Sequence, residues 1–352
     1  MTTTTTNTPA APADQPRTKK SILSFFNRAG APRIADLGFD AQPENEESEE
    51  DTMSVRNTAQ DTIGVPGERI GHISFGFEGE RWRIRNIVWV VAQSSTGLAL
   101  VDKTYRTGYR IGFDSMLTTG ERLTAFANPQ DKVINLDPRA TAEQLVAMLT
   151  LQLSISSAAI DGLEYDSGMM PHAALMANRM KMAYAHALQL QVAFELKDST
   201  SLPSKTDRDI YWKLLSRDMS RLSSGFAQMA VNDLAIQQGG ASAGAIREFY
   251  GHMSMRRRYD ADVINYYRAL PAAILKDPKS MTGGFDPSAA AYKLSFPGMV
   301  YAMTHDPRLN PQEPANAGSS QAVVEAVAAL AQARKAAGVK DRDPWQIPVA
   351  AS

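Results

Sequence analysis

Thr141-Ala142-Glu143-Gln144-Leu145-Val146-Ala147-Met148-Leu149-Thr150-Leu151-Gln152-Leu153-Ser154-Ile155-Ser156-Ser157-Ala158-Ala159 is the stretch on which the reading of this chain turns. Thr141 is placed to cap a helix predicted over 142–159, because its hydroxyl can accept from an otherwise unpaired N–H of the first turn. Leu145, Val146, Met148, Leu149, Leu151, Leu153 and Ile155 distribute apolar surface around most of that helix. A helix that is apolar on most faces belongs in the middle of a fold. Each Leu or Ile buried there contributes roughly 1.5–3 kcal/mol. Thr150, Gln152, Ser154, Ser156 and Ser157 interrupt the run, so it reads as a buried helix and not as a membrane span.

Upstream of this helix the pattern is mixed. Val133-Ile134-Asn135-Leu136 reads as a short strand stopped by Asp137-Pro138. Residues 114–131, with Gly120 and Asn128-Pro129, read as a loop, and Tyr109–Phe113 alternates as a strand. Before it, Thr96 is expected to cap a helix in which Leu98, Val101 and Tyr105 share a face. Lys103 and Arg106 would sit in its last turn and Gly108 would end it. Ile73, Phe75 and Phe77 alternate with Ser74 and Gly76 as in a half-buried strand, whereas strand and helix are both open for the segment from Trp82 through Ile87–Ala92. Residues 1–66 begin with a Thr repeat and contain an acidic run from Glu44 to Asp51. That composition predicts a disordered arm, with Ile22–Phe26 as an alternative short docking motif.

Downstream, helices are expected over about 172–197, 207–217, 219–237, 242–251 and 260–275, with Gly239-Gly240 closing the one over 219–237. Residues 276–318, rich in Pro, Gly and Asp, read as an irregular linker. Ser319–Ala337 is an Ala-rich helix ended by Gly338, followed by a loose tail. Strands early and helices late predict an α+β class: a small N-terminal mixed sheet, a helical core and a mostly helical C-terminal half. The expected division is an arm over 1–66, a domain over 67–275, a linker over 276–318 and a terminal helix over 319–352.

Several chemistries are set aside by composition. The chain has 37 Lys+Arg against 38 Asp+Glu, which argues against nucleic-acid binding through a whole-protein field. It has no cysteine, which excludes disulfides, thiolate nucleophiles and Cys-based zinc sites and fits the cytoplasm. Ile22–Phe26 is too short for a secretory core, so no signal peptide and no membrane partner are expected. GxxxxGK[ST] does not occur, and Gly239-Gly240 with Gly244 reads as a glycine hinge between helices. Arg256-Arg257-Arg258 is a dense basic cluster, read as a solvated helix start balanced by Asp260 and Asp262 in preference to a phosphate site. Asp161, Glu164 and Asp166 form an acidic turn that could hold a cation but reads more simply as exposed polar surface. His172 and His186, on one predicted helix, would stand roughly 21 Å apart at 1.5 Å per residue, too far to share an ion.

From Gly97 to Leu196 the chain resembles a bacterial family of zinc metallopeptidase domains of zincin type. The phrases that carry the likeness are Tyr109-Arg110-Ile111-Gly112-Phe113-Asp114, Asp131–Pro138 and Gln191-Val192-Ala193-Phe194-Glu195-Leu196-Lys197. The resemblance implies that Val133, Ile134, Asn135 and Leu136 line a substrate cleft and that the next helix carries HExxH. Two His at i and i+4 would then face one ion, with the Glu as general base. By position that motif falls on Leu151-Gln152-Leu153-Ser154-Ile155, so Leu151 and Ile155 replace the two His and the amide of Gln152 replaces the base. The third, acidic ligand is expected within Met182-Ala183-Tyr184-Ala185, where Met182 stands instead.

The expectation is therefore a degenerate, zincin-like scaffold with no metal and no cofactor that binds a protein or peptide partner, the free edge of Val133–Leu136 accepting an extended segment. One alternative is an active zinc peptidase that combines His172 or His186 with Glu164, Asp161 or His252. Another is a structural or assembly protein of a mobile element or secretion system.

Overall fold

The computed structural model describes residues 73–119, 124–199, 202, 205–294, 297–311 and 317–340. The arm expected over 1–66, its Ile22–Phe26 segment and the end of the tail lie outside these residues. The protein is α+β: mostly helical, with one small mixed sheet of three strands.

The described chain opens on Ile73, which is buried, and Ser74, which forms a single parallel bridge to Ile111. The strand expected over 73–77 goes no further, because Gly76 turns at φ 115° and Phe77 is left exposed. The Phe77 N–H then donates to Glu80 Oε2 at 3.2 Å and starts helix α1 (Glu78–Val91), which resolves the open strand-or-helix segment. Helix α2 (Ser95–Arg106) is capped by Ser94, whose hydroxyl accepts from Gly97 N at 2.8 Å, and not by Thr96. Thr96 is used elsewhere: its N–H and hydroxyl both donate to the carboxylate of Glu195, at 2.8 and 2.6 Å. The buried residues are Thr96, Gly97, Leu100, Val101 and Thr104, so of the expected stripe Val101 is buried while Leu98 and Tyr105 are half-buried. Gly108, at φ 85°, stops the helix as its lack of a Cβ permits.

Strand β1 (Arg110–Phe113) follows, then a 3-10 turn over Ser115–Thr119 and strand β2 (Ala125–Asn128), inside the region expected to be loop. Strand β3 (Val133–Leu136) lies between the other two, parallel to β1 with Ile111 opposite Ile134, and antiparallel to β2 with Phe126 opposite Asn135. The free edge expected on β3 does not exist: hydrogen bonds on both sides are taken by neighbours.

Helix α3 (Ala142–Ile160) starts as predicted at Thr141, where Gln144 reaches back to the Thr141 N–H at 2.9 Å and completes the cap. It packs on the sheet, on α1 and α2, and on α4 (Pro171–Asp198). By length and composition α3 would suffice to cross a membrane, but 78% of that stretch is buried inside the protein, as a core helix is. Helix α4 is more extreme. Every residue over 171–193 is buried.

The remaining elements pack around α4. They are α5 (Lys205–Asp218), α6 (Ser220–Met229), α7 (Asp233–Gln237), α8 (Gly240–Gly251), α9 (Met253–Arg268), α10 (Ala272–Lys276), α11 (Pro287–Lys293), α12 (Pro297–Thr304) and α13 (Ala317–Ala336). The single helix expected over 219–237 is two, because Asn232 accepts from Ala235 N at 2.8 Å and caps α7 anew. The helix expected over 260–275 is likewise broken, at Leu270-Pro271, into α9 and α10. Residues 276–318, expected to be irregular, carry α11 and α12 and join the same apolar core through Leu294, Met303 and Leu309. Gly225 on α6 and Gly244 on α8 let two backbones touch: a Cβ on Gly244 would lie 2.1 Å from the Gly225 carbonyl oxygen.

The far end of α4 is joined to α9 by a buried ion pair. Arg179 Nε and Nη2 donate to the two carboxylate oxygens of Asp260 at 2.8 and 2.6 Å, while Nη1 donates to the carbonyls of Arg308 and Leu309. Burial and the nearby Arg179 lower the pKa of Arg256, so Asp260 balances more than one cation. Asp260→Ala should therefore cost about 3–5 kcal/mol in urea unfolding, whereas pairing it with Arg179→Met should recover most of the loss. Equal losses in the single and double variants would contradict this account of the pair.

Candidate functional site

The residues at the zincin-like motif positions are all inside. Leu151, Ile155 and Met182 belong to one continuous apolar cluster and are 1%, 8% and 3% exposed. Gln152 is 2% exposed, and its Nε2 donates to the Ala125 carbonyl on β2 at 3.3 Å, so it points at the sheet and acts as a structural amide. The Gln189 amide donates to the Ala147 carbonyl at 2.8 Å and Lys181 meets Glu164 at 3.3 Å, which sets α3 and α4 antiparallel. That register brings Met182 alongside the last two turns of α3, the end that carries Ile155. Of the strand residues, Ile134 and Leu136 are core and Val133 and Asn135 are half-buried within the sheet.

The alternative ligands are dispersed into unrelated roles. His186 lies on an unbroken α4 with His172, fourteen residues away along the helix. Gln189 gives its N–H to Ala147, so its oxygen accepts from His186 Nδ1–H at 3.2 Å. His186 Nε2 is then left to accept the Tyr259 hydroxyl at 2.6 Å. Both ring nitrogens are thereby used, and Phe249 and Tyr259 cover the ring. Burial pushes the His186 pKa down to about 4, with Arg258 adding to the effect and the Gln189 bond opposing it. His252 caps α9, accepting from Met255 N. Asp161 pairs with Lys103, Glu164 with Lys181, and Asp166 accepts from Gly168 N. The acidic turn is thus a set of local bonds. Among the described residues no group of three or more His, Asp or Glu is arranged to hold a metal ion.

The basic triplet differs from its sequence reading. Arg256 is buried, Arg257 is exposed, and Arg258 lies over the ring of Tyr259, its Cζ 5.1 Å from the ring centroid. Asp260, expected to balance the triplet in solvent, is instead buried against Arg179. The three guanidinium groups point in different directions around α9 and do not make one patch.

Concave space is found at the N-terminal end of α4, beneath α13. Val327, Leu330, Ala331 and Arg334 recur at i, i+3, i+4 and i+7 and face the body, while Glu325, Ala328, Ala329, Gln332 and Ala333 are exposed. The floor is a second apolar cluster that includes Leu175, Val263, Ile264, Tyr267 and Met281. Arg334 is buried. Its Nη1 donates to Ser280 Oγ at 2.7 Å and to the Leu275 carbonyl at 3.2 Å, and Nη2 to the Ser280 carbonyl at 3.3 Å. Open clefts flank the helix, one of about 380 Å³ beside the Met170, Pro278 and Met281 wall and one of about 200 Å³ against Val263, Tyr267 and Leu275. Sequence reasoning found this helix but not its docking face, although the spacing of Val327, Leu330 and Arg334 carries that signal.

No family model, no curated protein and no solved structure matches the chain. The zincin resemblance accordingly rests on the sequence phrases alone.

Two outcomes follow from the buried polar groups. Gln152→Glu would replace an amide donor by a buried carboxylate facing a carbonyl, and should lower stability by about 1–3 kcal/mol in chemical denaturation. A neutral or stabilising effect would mean that position 152 tolerates an acid. The second outcome concerns pH. His186 ionises at about 4 when folded, against 6.5 for the ordinary side chain. The unfolded chain therefore binds the extra proton between these values, and the stability that the neutral ring confers is lost as pH falls from 6.5 towards 4. Histidine ring signals followed by NMR should show His186 protonating at about pH 4; titration near 6.5 would contradict the buried neutral ring.

Proposed function

We propose that this chain is a non-catalytic protein-binding module, built on a scaffold whose sequence resembles that of zincin peptidases. The single observation that carries the reading is the packing at the centre of α3 and α4. Where a hydrolytic ion would need two imidazoles and a carboxylate, the chain places Leu151, Ile155 and Met182 in contact with the main apolar core. The base position is an amide bonded to the sheet. A zinc centre needs ligands that are deprotonated, convergent and themselves held by hydrogen bonds. His186, the most deeply placed histidine, already spends both nitrogens on neighbours.

Binding is the function that remains for such a scaffold, and the seat of α13 carries an open apolar cleft along Leu175, Val263 and Leu330. A cytoplasmic location belongs to the same reading, since a chain without cysteine draws no stability from an oxidising compartment.

Zinc binding tests the first half directly. A site whose dissociation constant lies a hundredfold below the zinc concentration would add about 2.7 kcal/mol of stability. The expected outcome is an unfolding midpoint that is the same with excess zinc, with no addition and with a chelator. A saturable rise with zinc, reversed by chelation, would overturn the non-catalytic reading.

A further inference from the structure

We propose that one shoulder of α1 is the docking face for the acidic segment over 44–51 of this same chain. The surface lies on a different helix from the α13 seat, and the contact stands or falls independently of the reading above.

The face is defined by arginines that the fold leaves unused. Arg81, Arg85 and Trp89 follow one another at i, i+4 and i+8 and so line one side of α1, while Ile84, Ile87, Val88 and Val91 hold the helix on the body. The two guanidinium groups approach one carboxylate, Glu78, at 3.8 and 3.9 Å, which is beyond hydrogen-bond range. Arg81 Nε, Arg85 Nε and Trp89 Nε1 are shielded from solvent and have no acceptor. Other arginines of the protein are treated differently. Arg83, on the same helix, donates to the Pro138 and Ala140 carbonyls, and Arg179 and Arg308 each hold a carboxylate at 2.6 Å. Donors left without an acceptor cost free energy, and a carboxylate is the acceptor that a guanidinium binds best. The Arg81 and Arg85 side chains are 38% and 34% exposed, so an anion arriving from solvent can reach them.

The occupant is argued from charge and from reach. Residues 44–51 carry Glu44, Glu46, Glu47, Glu49, Glu50 and Asp51, with no Lys or Arg among them. The first 72 residues hold 11 Asp+Glu against 7 Lys+Arg, whereas the other 280 hold 27 against 30. The near-neutral total thus conceals an acidic beginning and a basic remainder, which attract each other. Twenty-two residue steps separate Asp51 from Ile73, where the described chain starts close to α1. A coil of that length spans about 26 Å, against about 21 Å for the whole of α1. The acidic run therefore reaches the arginines without any movement of the body. Single exposed ion pairs are weak, but a tethered segment meets its site at an effective concentration on the order of millimolar, and six acids in eight residues satisfy two arginines in several registers.

Disulfide trapping tests this, because a chain without cysteine gives no background. Ser48→Cys places a thiol inside the acidic run, and Asn86→Cys places one on α1, at an exposed position beside the arginines. With diamide as oxidant at about 50 mM salt, the 48–86 bond should close within one chain at least tenfold faster than in the same chain neutralised by E44Q, E46Q, E47Q, E49Q, E50Q and D51N. Raising the salt to about 500 mM should remove most of that advantage, because exposed charges are then screened within about 4 Å. R81E with R85E should abolish it at low salt, and adding E46K, E47K, E49K and E50K to that variant should restore it.

A closure rate that R81E with R85E leaves unchanged would overturn the proposal, whatever neutralising the acids does. If that variant loses its helical circular dichroism, R81Q with R85Q takes its place under the same criterion. Crosslinks that join two chains and rise with protein concentration would assign the face to the acidic segment of a second copy and overturn the contact within one chain.

Discussion

Everything in this fold depends on the burial of one long helix on all its sides. Over 171–193 α4 has no exposed residue, so each of its polar side chains must find a partner inside the protein. Between them they reach four neighbouring helices. Asn178 and Arg179 hold α9, at the Tyr259 carbonyl and the Asp260 carboxylate. His186 takes the Tyr259 hydroxyl, and Gln189 takes a carbonyl of α3. Gln191 donates to Thr96 on α2 and accepts from Ser242 on α8. The helix is thus the common partner of α2, α3, α8 and α9. Apolar burial supplies the driving force, while these bonds choose which arrangement of the helices is reached, because any other register would leave donors unpaired in a low-dielectric interior.

The same constraint decides what the centre can do chemically. A site for hydrolysis needs an open position, convergent ligands and access to water. The α3–α4 interface has the opposite character: leucine, isoleucine and methionine of both helices lie in one apolar cluster, and Gln152 is bonded to the Ala125 carbonyl. The neutral, fully buried His186 illustrates the point. It has the side chain that could ligate a metal or move a proton, and its environment removes both options by using the two nitrogens and disfavouring the charged form. The seat of α13 combines a polar anchor at Arg334 with open clefts on its flanks.

Much of the architecture was legible in the sequence because it is local. Helix α3 begins at the predicted cap and ends one residue beyond the predicted bound, and β3 coincides with its predicted strand. The α+β class followed from the order of those periods. What could not be read was non-local or weakly signalled. Strand β2 is Ala-Phe-Ala-Asn, four residues without alternation that become a strand only because β3 lies beside them. The cap of α2 moved from Thr96 to Ser94 because Glu195, about a hundred residues later, claims Thr96. Charge near charge in sequence was misleading as well. Asp260 follows the Arg256–Arg258 triplet, yet it is bound to Arg179 from another helix. At the candidate site, the sequence reading named Leu151, Gln152, Ile155 and Met182, all of which are buried. It could not say that β3 has neighbours on both sides, and so it predicted a docking edge that the sheet order removes.

The central claim is that hydrocarbon fills the position a metal would need at the α3–α4 interface. Anomalous diffraction at the zinc absorption edge, from crystals grown with excess zinc, addresses it at atomic positions. The account predicts no anomalous peak within ligand distance of residues 151, 155 or 182, with Leu151, Ile155 and Met182 in van der Waals contact with their surroundings. A peak at that interface, bonded to side chains of α3 or α4, would contradict it.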